Sequence, residues 1–145
     1  MSKNINYREG DLITIPLTDS RKAICKIIFA PKGRLKQVMC CTVIGIQQNL
    51  NLGALSLQNF ISIHSNPRNT KSFFTGNQMV KNGNWAIVGN TQLSDNEKSL
   101  QWFVYAGELY HKEDLIRHAS EEDYKNYVHL EVMGFVLVDK VLTSC

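Results

Sequence analysis

Three apolar stretches near the start of the chain constrain its fold most strongly. They read DLITIPL, KAICKIIFA and LKQVMCCTVIGI, and polar or Gly-containing turns separate them. In the first stretch Ile13, Ile15 and Leu17 alternate with other residues, so their side chains share one face of a strand. Pro16 has no N–H to donate, which places it at a strand end or a sheet edge. The turn PKGR between the other two stretches predicts a hairpin.

Later segments predict further strands and a little helix. KSFFTGNQMV, Asn82-Gly83 and NWAIVGN predict a second hairpin, because Asn-Gly favours the positive φ angles of a two-residue turn. LQWFVYAGELY predicts a third hairpin that turns at Ala106-Gly107. TQLSDNEKS has the composition of a polar loop, whereas HKEDLIRHA and SEEDYKNYV have that of helices, the second with Ser120 as N-cap. HLEVMGFVLVDKVL predicts a closing strand.

These patterns predict a mainly β (α+β) chain. The expected architecture is a strongly bent antiparallel sheet or an SH3-like barrel, with one or two short helices in the C-terminal third. A length of 145 residues fits one domain spanning residues 1–145. The polar start, and the lack of any apolar run near the ~18 residues of a membrane span, favour a cytoplasmic protein with no membrane segment.

The cysteines and histidines point to no catalytic or metal chemistry. The four cysteines have no CxxC spacing, and reduced, buried thiols are expected for Cys25, Cys40, Cys41 and Cys145. If residues 112–119 were helical, His111, Asp114 and His118 would lie near one face, but no further ligand has a fixed spacing. GxSxG, GxGxxG and P-loop motifs are absent. We therefore expect no enzyme activity, no cofactor and no metal.

Charge is distributed unevenly along the chain. Residues 1–90 carry 11 Lys and Arg against 3 acids, whereas residues 91–145 carry 5 against 10. Basic residues between strands that carry aromatics are typical of proteins that bind single-stranded nucleic acid. A small β-barrel that binds nucleic acid is therefore the alternative function, although no RNP-like pattern appears. The basic residues concerned are Arg8, Arg21, Lys22, Lys26, Lys32, Arg34 and Lys36.

Two stretches in fixed order resemble a known family. EGDLITIPLTDSRKAICKIIFA and GNWAIVGNTQLSDNEKSLQWF are similar to the two signature regions of the Immunity protein 26 family, which belongs to bacterial polymorphic-toxin and contact-dependent-inhibition systems. The matching positions are Gly10, Asp11, Ile15, Pro16, Leu17, Trp85, Ile87, Gly89, Asn90 and Leu93.

The resemblance implies an immunity protein that binds a cognate toxin domain and blocks its active or substrate site. Toxins of such systems include nucleases with basic grooves, so the resemblance predicts an acidic contact surface formed by Glu108, Glu113, Asp114, Glu121, Glu122 and Asp123. Because the first half of the chain is basic, the opposite arrangement also stays open, in which this half contacts an acidic face of the toxin. Structural roles are expected for the signature residues Gly10, Asp11, Pro16, Trp85, Gly89 and Asn90. Self-association is left open.

Overall fold

The computed structural model describes residues 5–56, 63–65 and 68–145. In chain order its strands are β1 (Asp11–Pro16), β2 (Lys22–Phe29), β3 (Val38–Gln47), β4 (Ile63–Ser65), β5 (Arg68–Thr70), β6 (Phe73–Gly76), β7 (Ala86–Asn90), β8 (Trp102–Tyr105), β9 (Glu108–His111), β10 (Asp114–His118), β11 (Val128–His129) and β12 (Val132–Met133). The helices are α1 (Gln78–Lys81), α2 (Asp95–Lys98), α3 (Glu121–Asn126) and α4 (Phe135–Thr143). Short 3-10 turns cover Leu52–Ala54 and Ser99–Gln101. The chain is α+β and consists mainly of strands, as its sequence predicts.

The described strands form two larger sheets and one small one. The first has six strands in the order β12-β6-β3-β2-β1-β7, and the second has four in the order β10-β9-β8-β11. Among the strands that the structure describes, β4 pairs only with β5. Both larger sheets are mixed, because β12 joins β6 and β11 joins β8 in parallel. The described strands close no barrel, so the predicted SH3-like barrel is wrong, and the predicted bent antiparallel sheet is replaced by two mixed sheets.

The six-stranded sheet is covered on both faces. On one face Ile13, Ile15 and Leu17 share a cluster with residues of α4, which confirms the predicted alternation in β1. On the other face Phe74 and Phe103 lie 5.3 Å apart between ring centroids, so the four-stranded sheet shares that core.

The hairpin predicted at Asn82-Gly83 is wrong. Residues 78–81 form α1, and β7 pairs with β1 instead of β6. Gly83 does adopt a positive φ of 86°, but its N–H donates to the Val80 carbonyl at 3.1 Å. A left-handed glycine in that arrangement ends a helix as readily as it turns a hairpin.

The predicted closing strand and the first predicted helix are also wrong. Residues 135–143 form α4, in which Val138, Val141 and Leu142 are buried at helical spacing. Residues 114–118 form β10, because Lys112 and Glu113 make a two-residue turn back from β9. By contrast, the Ala106-Gly107 hairpin and the Ser120 cap of α3 are confirmed.

Three of the four cysteines are inaccessible thiols. Cys25, Cys40 and Cys41 are fully buried, and burial raises the pKa of the Cys40 thiol to about 12. Burial likewise raises the pKa of Cys25 and Cys41. Cys145 is only partly buried. All four are free thiols, as expected from the sequence.

We expect iodoacetamide at pH 8 to modify Cys145 quickly and the other three cysteines only after denaturation. The physical reason is that the thiolate is the nucleophile, and burial suppresses it. Mass spectrometry of peptides after timed alkylation, with and without urea, measures this directly. Rapid modification of Cys40 in the native protein would contradict the buried position of β3.

Candidate functional site

Strand β10 forms an exposed edge of the four-stranded sheet. All five of its residues are exposed, and among the described strands it pairs only with β9. Leu115 is 58% exposed and Ile116 is 42% exposed. The register shifts between Leu115 and Arg117, so Ile116 occupies a bulge with no partner across the pair. This edge therefore presents unpaired backbone groups together with apolar side chains.

The sequence-predicted acids lie around β10 but do not form one free patch. Three of them have structural partners. Glu113 Oε1 accepts a hydrogen bond from the Gly33 N–H at 2.6 Å, and Glu108 Oε1 lies 3.0 Å from Nδ1 of His118. Asp123 is almost fully buried. Asp123 therefore has almost no surface to offer a partner and the other two carboxylates are already engaged, while the shared contact surface itself stays a prediction.

Asp123 serves as the reciprocal partner in the capping box of α3. Its carboxylate accepts from the Ser120 N–H at 2.9 Å, and its own N–H donates to Ser120 Oγ at 3.2 Å. Arg117 Nη2 lies 2.8 Å from Oδ1 of the same carboxylate. The hydrogen bond from the Ser120 backbone, supported by Arg117, lowers the pKa of Asp123 below its ordinary value. Asp123 thus fixes the start of α3.

The remaining acids flank the exposed strand at both ends. Asp114 begins β10, whereas Glu121 and Glu122 follow its end as the first residues of α3. All three are exposed, and within the described part of the chain their carboxylates make no ion pair. Negative charge in the first turn also suits the helix dipole. The result is an apolar strand edge bounded by free carboxylates, a surface that no pattern in the sequence indicates.

Four of the six signature residues meet where β1 and β7 pair. Asp11 lies opposite Asn90, and Leu12 lies opposite Gly89. Asp11 Oδ1 accepts a hydrogen bond from Asn90 Nδ2 at 2.9 Å, so these two signature residues contact each other directly where the paired strands end. Gly10 has a φ of 87° and accepts from the Thr91 N–H at 2.9 Å.

The other two signature residues lie elsewhere. Trp85 is buried beside α4, with its ring edge toward Phe135 at a centroid distance of 5.4 Å. Pro16 ends β1, where it is exposed. The buried indole and the strand-end proline agree with the structural interpretation of these residues.

A cleft of about 760 Å³ lies between the ends of the two larger sheets. Its walls come from the turn before β1, the end of β7, α2, and the facing ends of β8 and β9. The side chains that give it its chemistry are Arg8, Glu9, Asp95, Lys98, Gln101, Trp102, His111 and Lys112.

A hydrogen-bonded network fixes one side of this cleft. Gln101, which is buried, donates from Nε2 to Glu9 Oε1 at 2.6 Å and to the Ile28 carbonyl at 2.9 Å. Lys112 Nζ lies 3.1 Å from Glu9 Oε1 and 3.3 Å from Oε2. Glu9 is therefore held between an amide and an ammonium, and the charge of Lys112 is largely compensated.

Aromatic rings form a row across the end of the four-stranded sheet. His111 and Trp102 lie opposite each other on β9 and β8, with ring centroids 4.6 Å apart. Tyr127 stacks on the other side of Trp102 at 6.0 Å. All three side chains are half-buried, and His111 and Trp102 also line the cleft.

A buried ion pair lies behind the cleft. Lys26 Nζ donates to Glu97 Oε1 at 2.9 Å and to the Gln92 carbonyl at 3.0 Å, and both charged side chains are 0% exposed. Glu97 also completes a capping box with Ser94 at the start of α2, which corrects the polar-loop prediction for this segment. The spacing Ser94-x-x-Glu97 is typical of a capping box and was the pattern in the sequence that predicts this helix.

The buried position of Lys26 changes the interpretation of the basic residues. The nucleic-acid alternative counted Lys26 as a surface charge, which is wrong. Arg21 is also engaged, because its guanidinium pairs with Asp19 at 2.7 Å and donates to the Thr143 carbonyl at 2.9 Å. The basic run of the first half is therefore not one open patch.

The three candidate metal ligands do not meet at one point, because Asp114 lies opposite His111 whereas His118 pairs with Glu108 at the far end of β10. His111 is on β9, while Asp114 and His118 occupy opposite ends of β10. Across residues 5–56, 63–65 and 68–145, no cluster of three or more His, Cys, Asp or Glu is placed to hold a metal ion. None of the helices in the described ranges has the length and apolarity to cross a membrane.

Comparison with known proteins adds no assignment. No family model, no curated protein and no solved structure matches the chain. The similarity to immunity proteins stays a prediction from the two sequence stretches.

Proposed function

We propose that this protein is a cytoplasmic immunity protein that binds a cognate toxin domain and covers its active or substrate site. The observation that carries the proposal is the β10 edge, with exposed Leu115 and Ile116 between free carboxylates. That the partner is a toxin domain is implied by the resemblance of the two signature stretches to the Immunity protein 26 family.

The β10 edge has the properties of a protein-binding surface. An exposed strand with an open side offers main-chain hydrogen bonds to a strand of a partner, and apolar side chains along it add specificity. Natural monomers usually protect such edges, because an open edge otherwise promotes aggregation. A partner strand that pairs with β10 would cover both the backbone groups and the two apolar side chains.

The acids beside β10 favour a basic toxin surface. Asp114 at one end and Glu121 and Glu122 at the other would place negative charge on both sides of the contact. Complementary charge raises the association rate and selects the partner more than it raises affinity. A nuclease groove that binds the phosphate backbone of a nucleic acid is basic, so its charge complements these carboxylates. The protein then acts by filling that groove and excluding the substrate of the toxin.

The scaffold behind β10 suits this task. β9 pairs with β10 through a two-residue turn, and β8 continues the sheet into the core that contains Phe103. Little backbone freedom is lost on binding when the contact strand is already ordered, which favours tight association.

The proposal is tested with the toxin domain encoded by the reading frame next to that of this protein. We expect co-expression to restore growth of cells that produce the toxin domain, and the two chains to purify together in a stoichiometric complex. The control is co-expression with an unrelated small β protein, which should give no protection. Growth arrest that persists despite abundant, folded immunity protein would contradict the proposal.

A further inference from the structure

The two ends of the β10 edge have different neighbours. The loop between β2 and β3 lies beside the start of β10 and carries three exposed cations, Lys32, Arg34 and Lys36. The exposed acids Glu121 and Glu122 begin α3 just past the end of β10. We propose that, in the absence of toxin, β10 pairs antiparallel with β10 of a second copy of this protein to form a symmetric dimer.

Two contacts hold the basic loop beside the start of β10. The Gly33 N–H donates to Glu113 Oε1 at 2.6 Å, in the turn that leads into β10. Arg34 Nη2 donates at 3.4 Å to the hydroxyl of Tyr110, which lies opposite Leu115 in the β9–β10 pair. Within the described part of the chain, the three loop cations form no ion pair. Their charges therefore stay free for an acidic partner.

Antiparallel pairing brings opposite charges together at both ends of the contact. The start of each β10 then lies beside the end of the other, so the basic loop of one protomer faces Glu121 and Glu122 of the partner subunit. With Ile116 at the two-fold axis, Asp114 lies opposite His118 of the partner subunit. Parallel pairing would instead place each end beside its own copy, where like charges repel.

The centre of the contact is apolar and short. Leu115 and Ile116 are 58% and 42% exposed in the single chain, and a second copy covers both. The bulge at Ile116 twists the edge and limits the added ladder, so the flanking charges supply much of the selectivity. A strand of five residues makes a small contact, and the dimer is therefore weak and reversible.

The dimer keeps the β10 edge covered until the toxin domain arrives. The basic loop of the second copy takes the place that the proposed function gives to a basic toxin surface. Toxin and second copy therefore compete for one strand, and the tighter toxin complex splits the dimer. This competition rests on the proposed function, whereas the dimer itself does not.

The test is analytical ultracentrifugation of the purified full chain without toxin, over a range of protein and salt concentrations. We expect a monomer–dimer equilibrium with a Kd of about 10 μM, weakened about tenfold at high salt. Lys32→Glu/Arg34→Glu/Lys36→Glu and Glu121→Lys/Glu122→Lys should each raise this Kd about tenfold or more, because each places like charges at both ends of the contact. An equal mixture of the two variants should return to within about threefold of the wild-type Kd, because opposite charges face each other again.

Matched variants control for charge and for apolar surface. Lys140→Glu and Glu131→Lys reverse exposed charges outside the contact and should leave the Kd unchanged. Leu115→Glu/Ile116→Glu should be monomeric, whereas Val136→Glu should dimerise like the wild type, because Val136 is exposed on α4. The opposite result for these two variants would place the interface on α4 and overturn the proposal.

Two further results would also overturn the dimer. One is a wild-type chain that stays monomeric at about 100 μM; the other is a pair of folded charge-reversed variants that do not dimerise when mixed. Addition of the neighbouring toxin domain then separates this inference from the proposed function. A 1:1 complex with the dimer split supports the competition, and toxin bound to an intact dimer contradicts the shared edge. If the toxin domain does not bind at all, the proposed function fails while the dimer measured without toxin stands.

Discussion

Lys26→Met is expected to lower the free energy of unfolding by about 3–5 kcal/mol. Lys26 and Glu97 are both 0% exposed and lie 2.9 Å apart, so the variant leaves a carboxylate buried without its counter-charge. The same change removes the hydrogen bond from Nζ to the Gln92 carbonyl. Equilibrium unfolding in urea, followed by circular dichroism, measures the loss.

Two further variants separate charge from packing. Lys26→Met/Glu97→Gln removes both charges while keeping an acceptor for the capping box, and it should recover a large part of the lost stability. Lys22→Met is the matched control, because Lys22 is an exposed lysine on the same strand, and its effect should stay within about 0.5 kcal/mol. If the urea concentration at the unfolding midpoint were the same for Lys26→Met and Lys22→Met, the buried Lys26–Glu97 ion pair would be contradicted.

Gly10→Ala is expected to cost about 2–4 kcal/mol of unfolding free energy. Gly10 has a φ of 87°, which an L side chain adopts only with strain. A Cβ atom there would also lie 2.5 Å from the Thr91 carbonyl oxygen, which is backbone and cannot rotate away. The substitution therefore disturbs the junction of β1 and β7 and, with it, the rim of the cleft.

Gly53→Ala is the control for the glycine prediction. A Cβ at Gly53 would meet only Asn51 Oδ1, at 3.4 Å, and no positive φ restricts this position. We expect an effect within about 1 kcal/mol. Equal stability of the two variants, measured by urea unfolding, would show that the left-handed turn at Gly10 does not form.

Local patterns in the sequence predicted the parts of the fold that neighbouring residues determine. Alternation in β1 placed Ile13 and Ile15 in the core, and the β2–β3 and Ala106-Gly107 hairpins followed from turn residues between apolar runs. Ser120 began α3 because its hydroxyl caps the helix within three residues. In these cases the contacts that decide the structure are close in sequence.

Elements that depend on distant contacts were predicted wrongly. Residues 135–143 are rich in valine, which favours strands locally, yet they form a helix that buries Val138 and Leu142 against the six-stranded sheet. Asp139 of that helix accepts hydrogen bonds from Thr18 N at 2.9 Å and Thr18 Oγ1 at 2.8 Å. Only the folded chain brings these residues together, whereas the valine content of the segment taken alone favours a strand.

The candidate sites were predictable only in part. The acids around β10 were named from the sequence, but the burial of Asp123 and the strand at Leu115 were not, because composition alone favoured a helix there. The cleft joins residues as far apart as Arg8 and Lys112, and the partner of Lys26 is at position 97. Residues this far apart in sequence leave no recognisable spacing, so a single sequence does not indicate that they lie together.

The most direct test of the proposed function is the Kd of the complex with the neighbouring toxin domain, measured for three forms of the protein. The wild type should bind tightly, and Leu115→Glu/Ile116→Glu should raise the Kd about 100-fold or more, because it places charge in the centre of the contact. Val136→Glu is the matched control: Val136 is 86% exposed on α4, far in sequence from β10, and its affinity should be unchanged. A folded Leu115→Glu/Ile116→Glu variant that binds the toxin domain as tightly as the wild type would contradict the account.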